Sequence, residues 1–230
     1  MSKTSLNLIA ILVFAMTFSV LLGPWLQISP YLPAIATAIV LGFTTLDTFT
    51  WQGQGGNLII DWLASTSPEY RARIVRHEAG HFLVATLLEI PISGYSLSAW
   101  SALQEGHPGR GGVRFTDREL ASQLQKGILS SQLFHRYGTI WMAGIAAEVL
   151  VYGNASGGAE DREKLGITLT QLGNSGLNYA QQERYFILQA RTLLQSNWAA
   201  YEALVTAMEK RESVAVCQQI IQQHQSPSSG

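Results

Sequence analysis

The polar and apolar positions divide this chain into two unequal parts. From Thr4 to Leu46 there is no Asp, Glu, Lys or Arg, whereas residues 68–225 mix charged and apolar positions as a water-exposed domain does. The uncharged stretch is long enough for two membrane spans of roughly 20 residues each. The first is expected over 6–22 and stops at Gly23-Pro24; the second is expected over 31–46, after Ser29-Pro30. The GPWLQISP segment between them is short and proline-bounded, as a hairpin turn requires. Trp25, Tyr31 and Trp51 suit the aromatic belts of a bilayer interface. A cleaved leader is the competing reading, with Ala36-Thr37-Ala38 as its processing site. That site lies well past the first apolar run, and the n-region offers only Lys3. Lys3 precedes the hairpin and Arg71, Arg73 and Arg76 follow it, which places both ends on the cytoplasmic side. Residues 51–67 read as a linker with an interfacial turn, and 226–230 as a disordered tail.

Beyond residue 67 the periodicity is mostly helical. Ser67-Pro68 is a helix start, serine as cap and proline at the first helical position. Ile74, Val75, Phe82, Leu83 and Leu87 continue that helix until Pro91. Residues 95–100 alternate in the manner of a strand, and 112–115 suggest a second short strand across a Gly/Pro-rich loop. Helices are expected at 117–126, 131–152 and 161–172, then as a long pair at 177–195 and 198–222. Tyr179, Phe186, Ala190, Leu193, Tyr201, Leu204 and Met208 form its core stripe. The fold class expected is mainly α: a transmembrane helical hairpin over 1–50, then an α-helical domain over 68–225 with a small β-hairpin.

Charge and cysteine content narrow the chemistry. Charged residues make up 13% of the chain and the net charge is −1 with no long run of either sign, and since phosphate neutralisation needs a basic surface, nucleic acid is not an expected partner. The single cysteine, Cys217, excludes a disulfide framework and a cysteine-based zinc knuckle. Any metal must be held by His, Asp or Glu.

One motif has that composition: His77-Glu78-Ala79-Gly80-His81. With five histidines in 230 residues, a chance HExxH is expected on the order of once in two hundred such sequences. Positions i and i+4 share a helical face, so both imidazoles reach one Zn2+. Glu78 stands beside them, where a carboxylate takes a proton from a zinc-bound water. Gly80 costs a helix roughly 0.8–1.0 kcal/mol relative to alanine, which points to a close approach by another helix. A catalytic zinc needs a third protein ligand. Asp161 follows the glycine-rich NASGGAE loop and opens a helix. Glu148, at the end of Ala143-Gly144-Ile145-Ala146-Ala147-Glu148, is either a ligand or the partner of a ligand histidine's second nitrogen. Glu105 lies in a Gly/Pro loop. Asp161 is the first choice on these grounds, with Glu148 the alternative.

Taken together these segments resemble the peptidase domain of the FtsH family, membrane-anchored AAA zinc proteases. HEAGH is similar to that family's zinc helix, AGIAAE (143–148) to its small-residue helix, and SGGAEDREKL (156–165) to its TGA-x-x-D segment. ARTLLQSNWAAYEALVTAMEK resembles its closing helical hairpin, so the likeness runs over about 68–222. The resemblance implies His77, His81 and Asp161 as zinc ligands, Glu78 as catalytic base and Glu148 as a supporting residue. Three departures stand out. No G-x-x-x-x-G-K-[ST] segment is present, Phe82 replaces a small residue after the motif, and 92–116 is longer than the family's strand pair. The chain thus looks like the AAA-less FtsH-like proteases of cyanobacteria and chloroplasts. That implies a thylakoid or plasma membrane, with the peptidase domain on its stromal or cytoplasmic face.

The activity expected is ATP-independent zinc endoproteolysis of unfolded or damaged membrane proteins. The alternative is an inactive FtsH-like scaffold for assembling membrane complexes. Expected partners are polypeptide substrates, membrane lipid, and a separate AAA unfoldase or FtsH-type subunits in a homo- or hetero-oligomer. Extended substrates bind well by adding a strand to a sheet edge, which assigns substrate binding to Gly112, Val113, Arg114 and Phe115. His107, His135 and His224 are expected to be surface histidines.

Overall fold

The computed structural model describes residues 3–23, 25, 27, 29, 31–50, 67–98, 101–102, 111–172 and 179–225. The linker expected over 51–67 therefore lies outside the described residues save Ser67, and so do Glu105, His107, Trp100 and the 226–230 tail. Two compact units emerge, one comprising 1–67 with 98–111 and the other 68–97 with 112–230.

The first unit holds α1 (Lys3–Leu22) and α2 (Tyr31–Thr50). Each has 20 residues, about 30 Å of helix at 1.5 Å per residue. They pack on one another, and the Thr37 hydroxyl, which also bonds the Pro33 carbonyl at 2.7 Å, donates to Met16 Sδ across the pair at 3.6 Å. Phe14, Phe18, Leu21, Leu32 and Ile39 point outward, exposed. Counted over the described residues alone, no helix is long and apolar enough to cross a membrane.

The second unit is built on two crossing helices, α3 (Pro68–Leu87) and α5 (Ser131–Tyr152). Where they cross, a methyl group on Gly80 would lie 2.7 Å from the Ala143 carbonyl oxygen and 2.8 Å from Ala147 Cβ. The glycine penalty is thus offset by a backbone-to-backbone approach that alanine would block. Short α4 (Arg118–Gln125) precedes α5, which starts on Ser130, its hydroxyl accepting from Leu133 N–H, and ends on Gly153 at φ 76°. Then come α6 (Ala159–Gln171), α7 (Tyr179–Ser196), α8 (Trp198–Glu209) and α9 (Val214–His224). Of the expected stripe, Phe186, Ala190, Tyr201, Leu204 and Met208 are fully buried with Phe82, Ile140 and Met142, while Tyr179 and Leu193 are half-buried at its edge and Leu194 takes the inner position.

The helix expected over 198–222 is two helices. Arg211 adopts φ 58°, Glu212 N–H turns back to the Ala207 carbonyl, and Ser213 restarts the chain by capping Val216 N–H. The break frees the Glu212 carbonyl to accept the Tyr95 hydroxyl at 2.6 Å. The strands are β1 (Ile92–Ser96) and β2 (Gly112–Phe115), antiparallel, with a register shift between Ile92 and Gly94. The first strand begins earlier than its alternation suggested, because 92–96 has β2 as its partner while Ser98 and Ser101 close a turn. Phe82 is fully buried, edge-on to Tyr95 at 6.0 Å, so it packs against β1. Among the described residues the protein is thus mainly α, nine helices and one two-stranded sheet.

Candidate metal centre

Arg73, His77 and His81 recur every fourth residue along α3 and so share one face. The histidine tautomers follow from what each ring touches. His81 Nδ1 lies 2.7 Å from the Ile140 carbonyl of α5, which can only accept, so that nitrogen carries the hydrogen. His77 Nδ1 lies 2.8 Å from Glu148 Oε1. Burial disfavours the Glu148 charge, but His77, Ser156 N–H and Arg73 outweigh it and hold the carboxyl at about 2, so it too accepts.

With Nδ1 engaged on both rings, the two Nε2 atoms point toward the same place, 3.0 Å apart. Asp161 Oδ2, from the first turn of α6, completes a triangle at 3.2 Å from His77 Nε2 and 3.4 Å from His81 Nε2. Ligands 2.0–2.1 Å from a tetrahedral zinc stand about 3.3–3.4 Å apart, close to these edges. Three converging ligand atoms at these distances need a cation or a proton among them. Burial opposes a charge on His77, yet Asp161 and Glu148 push its pKa up to about 10, while His81 and His77 overcome burial to hold Asp161 well below the usual carboxylate range. His77, His81 and Asp161 thus form a buried group that could hold a metal ion.

Compared with protein-family models and with curated proteins, the chain matches none.

Glu78 stands outside the triangle. Its Oε2 accepts Val113 N–H of β2 at 2.9 Å, and a methyl group on Gly112 would lie 3.6 Å from the same oxygen. Burial raises its pKa, a direction that suits a carboxylate meant to receive a proton. Glu148, 1% exposed, also accepts Arg73 Nη1 at 2.9 Å, Ser156 N–H at 2.8 Å and Gly157 N–H at 3.1 Å. It touches His77 through the nitrogen that faces away from Asp161, which is the supporting position rather than the ligand position.

The strand expected to bind substrate lies beside Glu78, with a difference. Val113 N–H, which an added strand would use, is already donated to Glu78. The side chains of Val113 and Phe115 pack on the core, and Arg114 lies along β1, 3.4 Å from Ser96 Oγ. His135 sits edge-on to Tyr185, and His224 Nδ1 lies 2.9 Å from the Ile220 carbonyl of its own helix; neither approaches the triangle. Sequence reasoning missed the Ile140 carbonyl and Arg73. A carbonyl leaves no trace in side-chain pattern, but Arg73 was findable, one turn before His77 on the same face.

Proposed function

We propose that this protein is a membrane-anchored zinc metalloendopeptidase of FtsH-like type. The observation that carries the reading is the pair of Nε2 atoms 3.0 Å apart, closed by Asp161 and flanked by a buried carboxylate that is not a ligand. His77, His81 and Asp161 would hold the zinc, and Glu148 fixes the His77 ring. Zinc, when bound, supplies a Lewis acid and lowers the pKa of water to near neutrality. Glu78 takes the proton of the attacking water and delivers it to the leaving amide nitrogen. Val113 N–H holds that carboxylate in place, and Gly112, lacking a side chain, lets an extended peptide approach it.

No described helix is long and apolar enough to cross a membrane, but the uncharged run from Thr4 to Leu46 and its exposed apolar side chains favour a two-span anchor, and Lys3 with Arg71, Arg73 and Arg76 favours a cytoplasmic or stromal catalytic unit. Reporter fusions after Leu26 and after Gly230 should then report opposite sides of the membrane; matching signals would reject the hairpin. Unfolded or damaged polypeptides are the substrates this reading favours, with a separate AAA unfoldase as partner for folded ones.

The decisive comparison is wild type against Glu78→Gln, in zinc content and in hydrolysis of a casein-type substrate. Wild type should bind about one zinc and cleave; the variant should keep zinc and lose cleavage by about 100-fold or more, the scale of general acid–base catalysis. Equal cleavage by the two would reject Glu78 as base, and a zinc-loaded but inert wild type would favour the scaffold.

A further inference from the structure

Glu148 is held by four donors, and the one from Arg73 reaches further than a simple ion pair. Arg73 Nη1 donates to Glu148 Oε2 at 2.9 Å and also to the Asn154 carbonyl and its Oδ1, each at 3.2 Å. Its guanidinium lies over the Tyr152 ring, 4.2 Å from the centroid. Tyr152 ends α5, Gly153 caps it, and Asn154 begins the loop that leads to Asp161. Arg73 thus grips that loop where it starts, while Glu148 grips it in the middle through Ser156 and Gly157 N–H. A methyl group on Gly157 would fall 2.7 Å from Glu148 Oε1 and 3.2 Å from His77 Nδ1, so the loop lies directly against both.

We propose that Arg73 is a positioning residue for the metal centre: one turn before His77 on α3, it locks Glu148 and the 153–158 loop into the arrangement that brings His77 and Asp161 together. The inference rests on the metal-site reading above. No hydrogen bond joins Arg73 to His81, Asp161 or Glu78, so it acts through Glu148 and the loop, not on reacting atoms. The site suits arginine better than lysine because a planar guanidinium can stack on the Tyr152 ring while its Nη1 reaches Glu148 and Asn154, whereas an ammonium is a compact, strongly hydrated charge without that flat face. Residues in this supporting position typically change metal affinity 10–100-fold.

The test uses the full-length chain in detergent micelles. Zinc affinity is measured by competition with a chromophoric chelator, coordination by the visible absorption of the Co2+-loaded protein, and folding by the melting temperature after chelator treatment. Arg73→Met keeps a stem against Tyr152 and should weaken zinc roughly 10–100-fold and alter the Co2+ spectrum, with little change in the chelator-treated melt. Arg73→Lys should recover part of the affinity. In a Glu148→Gln background, Arg73→Met should add little, since both act on one unit. Wild-type affinity and an unchanged Co2+ spectrum in Arg73→Met would overturn the proposal while leaving the metal site standing. Full additivity with Glu148→Gln, or a chelator-treated melt lowered enough to account for the affinity loss, would overturn it too. A wild-type chain that binds neither Zn2+ nor Co2+ would overturn the metal reading itself, and Arg73's role with it.

Discussion

Gly144 faces the His77 imidazole so closely that a methyl group there would overlap Nε2 and lie 2.6 Å from Cε1. Ordinary carbon contacts sit at about 3.5–4.0 Å, so Gly144→Ala forces the ring to move by roughly 1 Å. Metal–ligand distances tolerate about ±0.2 Å. The ring therefore cannot stay in the triangle with His81 and Asp161 and also keep its 2.8 Å contact with Glu148. Losing a ligand should cost more than the roughly 10–100-fold expected for a supporting residue. Folding should suffer less. Alanine regains about 0.8–1.0 kcal/mol of helix propensity against roughly 1–3 kcal/mol of overpacking, a net loss of about 0–2 kcal/mol. Gly166→Ala is the matched control, since its methyl would sit 3.6 Å from Tyr179 in ordinary contact and should be neutral or stabilising. Chelator competition for zinc, with melts of the zinc-free proteins, reads both quantities. If Gly144→Ala binds zinc as tightly as wild type, His77 is not the ligand the geometry makes it.

Three further outcomes follow from the same geometry. Asp161→Asn should weaken zinc more than Glu148→Gln does, because Asp161 offers its oxygen to the triangle and Glu148 to the far side of His77; chelator competition showing the reverse order would exchange their roles. In zinc-free protein the His77 pKa stands raised to about 10, so its stabilising contribution is full below about pH 6.5 and is lost as pH rises toward 10. Zinc must displace that proton, so its apparent affinity should climb over the same window; a flat affinity between pH 6.5 and 9 in competition titrations contradicts this. Val113→Pro removes the amide that Glu78 accepts. That amide is also the one an added strand would use, and losing a hydrogen bond worth about 1–3 kcal/mol from the transition state should lower kcat/KM on an unstructured peptide roughly 5- to 150-fold with zinc content unchanged; a wild-type rate would dismiss the contact as incidental.

The parts legible in the sequence are those that repeat or that carry chemistry on side chains. HExxH declares a helix and the side on which its two histidines converge, and the cost of Gly80 points to the close approach that the crossing of α3 and α5 supplies. Asp161 was legible because a glycine-rich loop precedes it. The break at 210–213 was not, because an arginine at positive φ carries no glycine signal and the apolar spacing continues across it. The start of β1 was misplaced for a related reason. Alternation marks a strand's two faces but not where its hydrogen-bonding partner begins, and here that partner lies some twenty residues downstream.

The placement of β2 bears on how a substrate could enter. In an antiparallel ladder alternate residues turn their amides outward, and here Thr116 N–H goes to the Pro91 carbonyl on the β1 side while Val113 N–H turns away from β1. The outward amide of Val113 meets Glu78 instead of a third strand. On the proposed reading one donor would serve two acceptors in turn, Glu78 when the edge is free and a peptide carbonyl when a strand is added. The exchange would trade a bond to a buried carboxylate for one to a neutral carbonyl, a cost of about 1–3 kcal/mol that the peptide's other contacts would have to offset. It would also leave the Glu78 carboxylate unpaired, and more basic, only once a peptide is aligned beside it. If the proposed function holds, an extended chain along β2 would do more than bind: its arrival would free the group that then takes the proton.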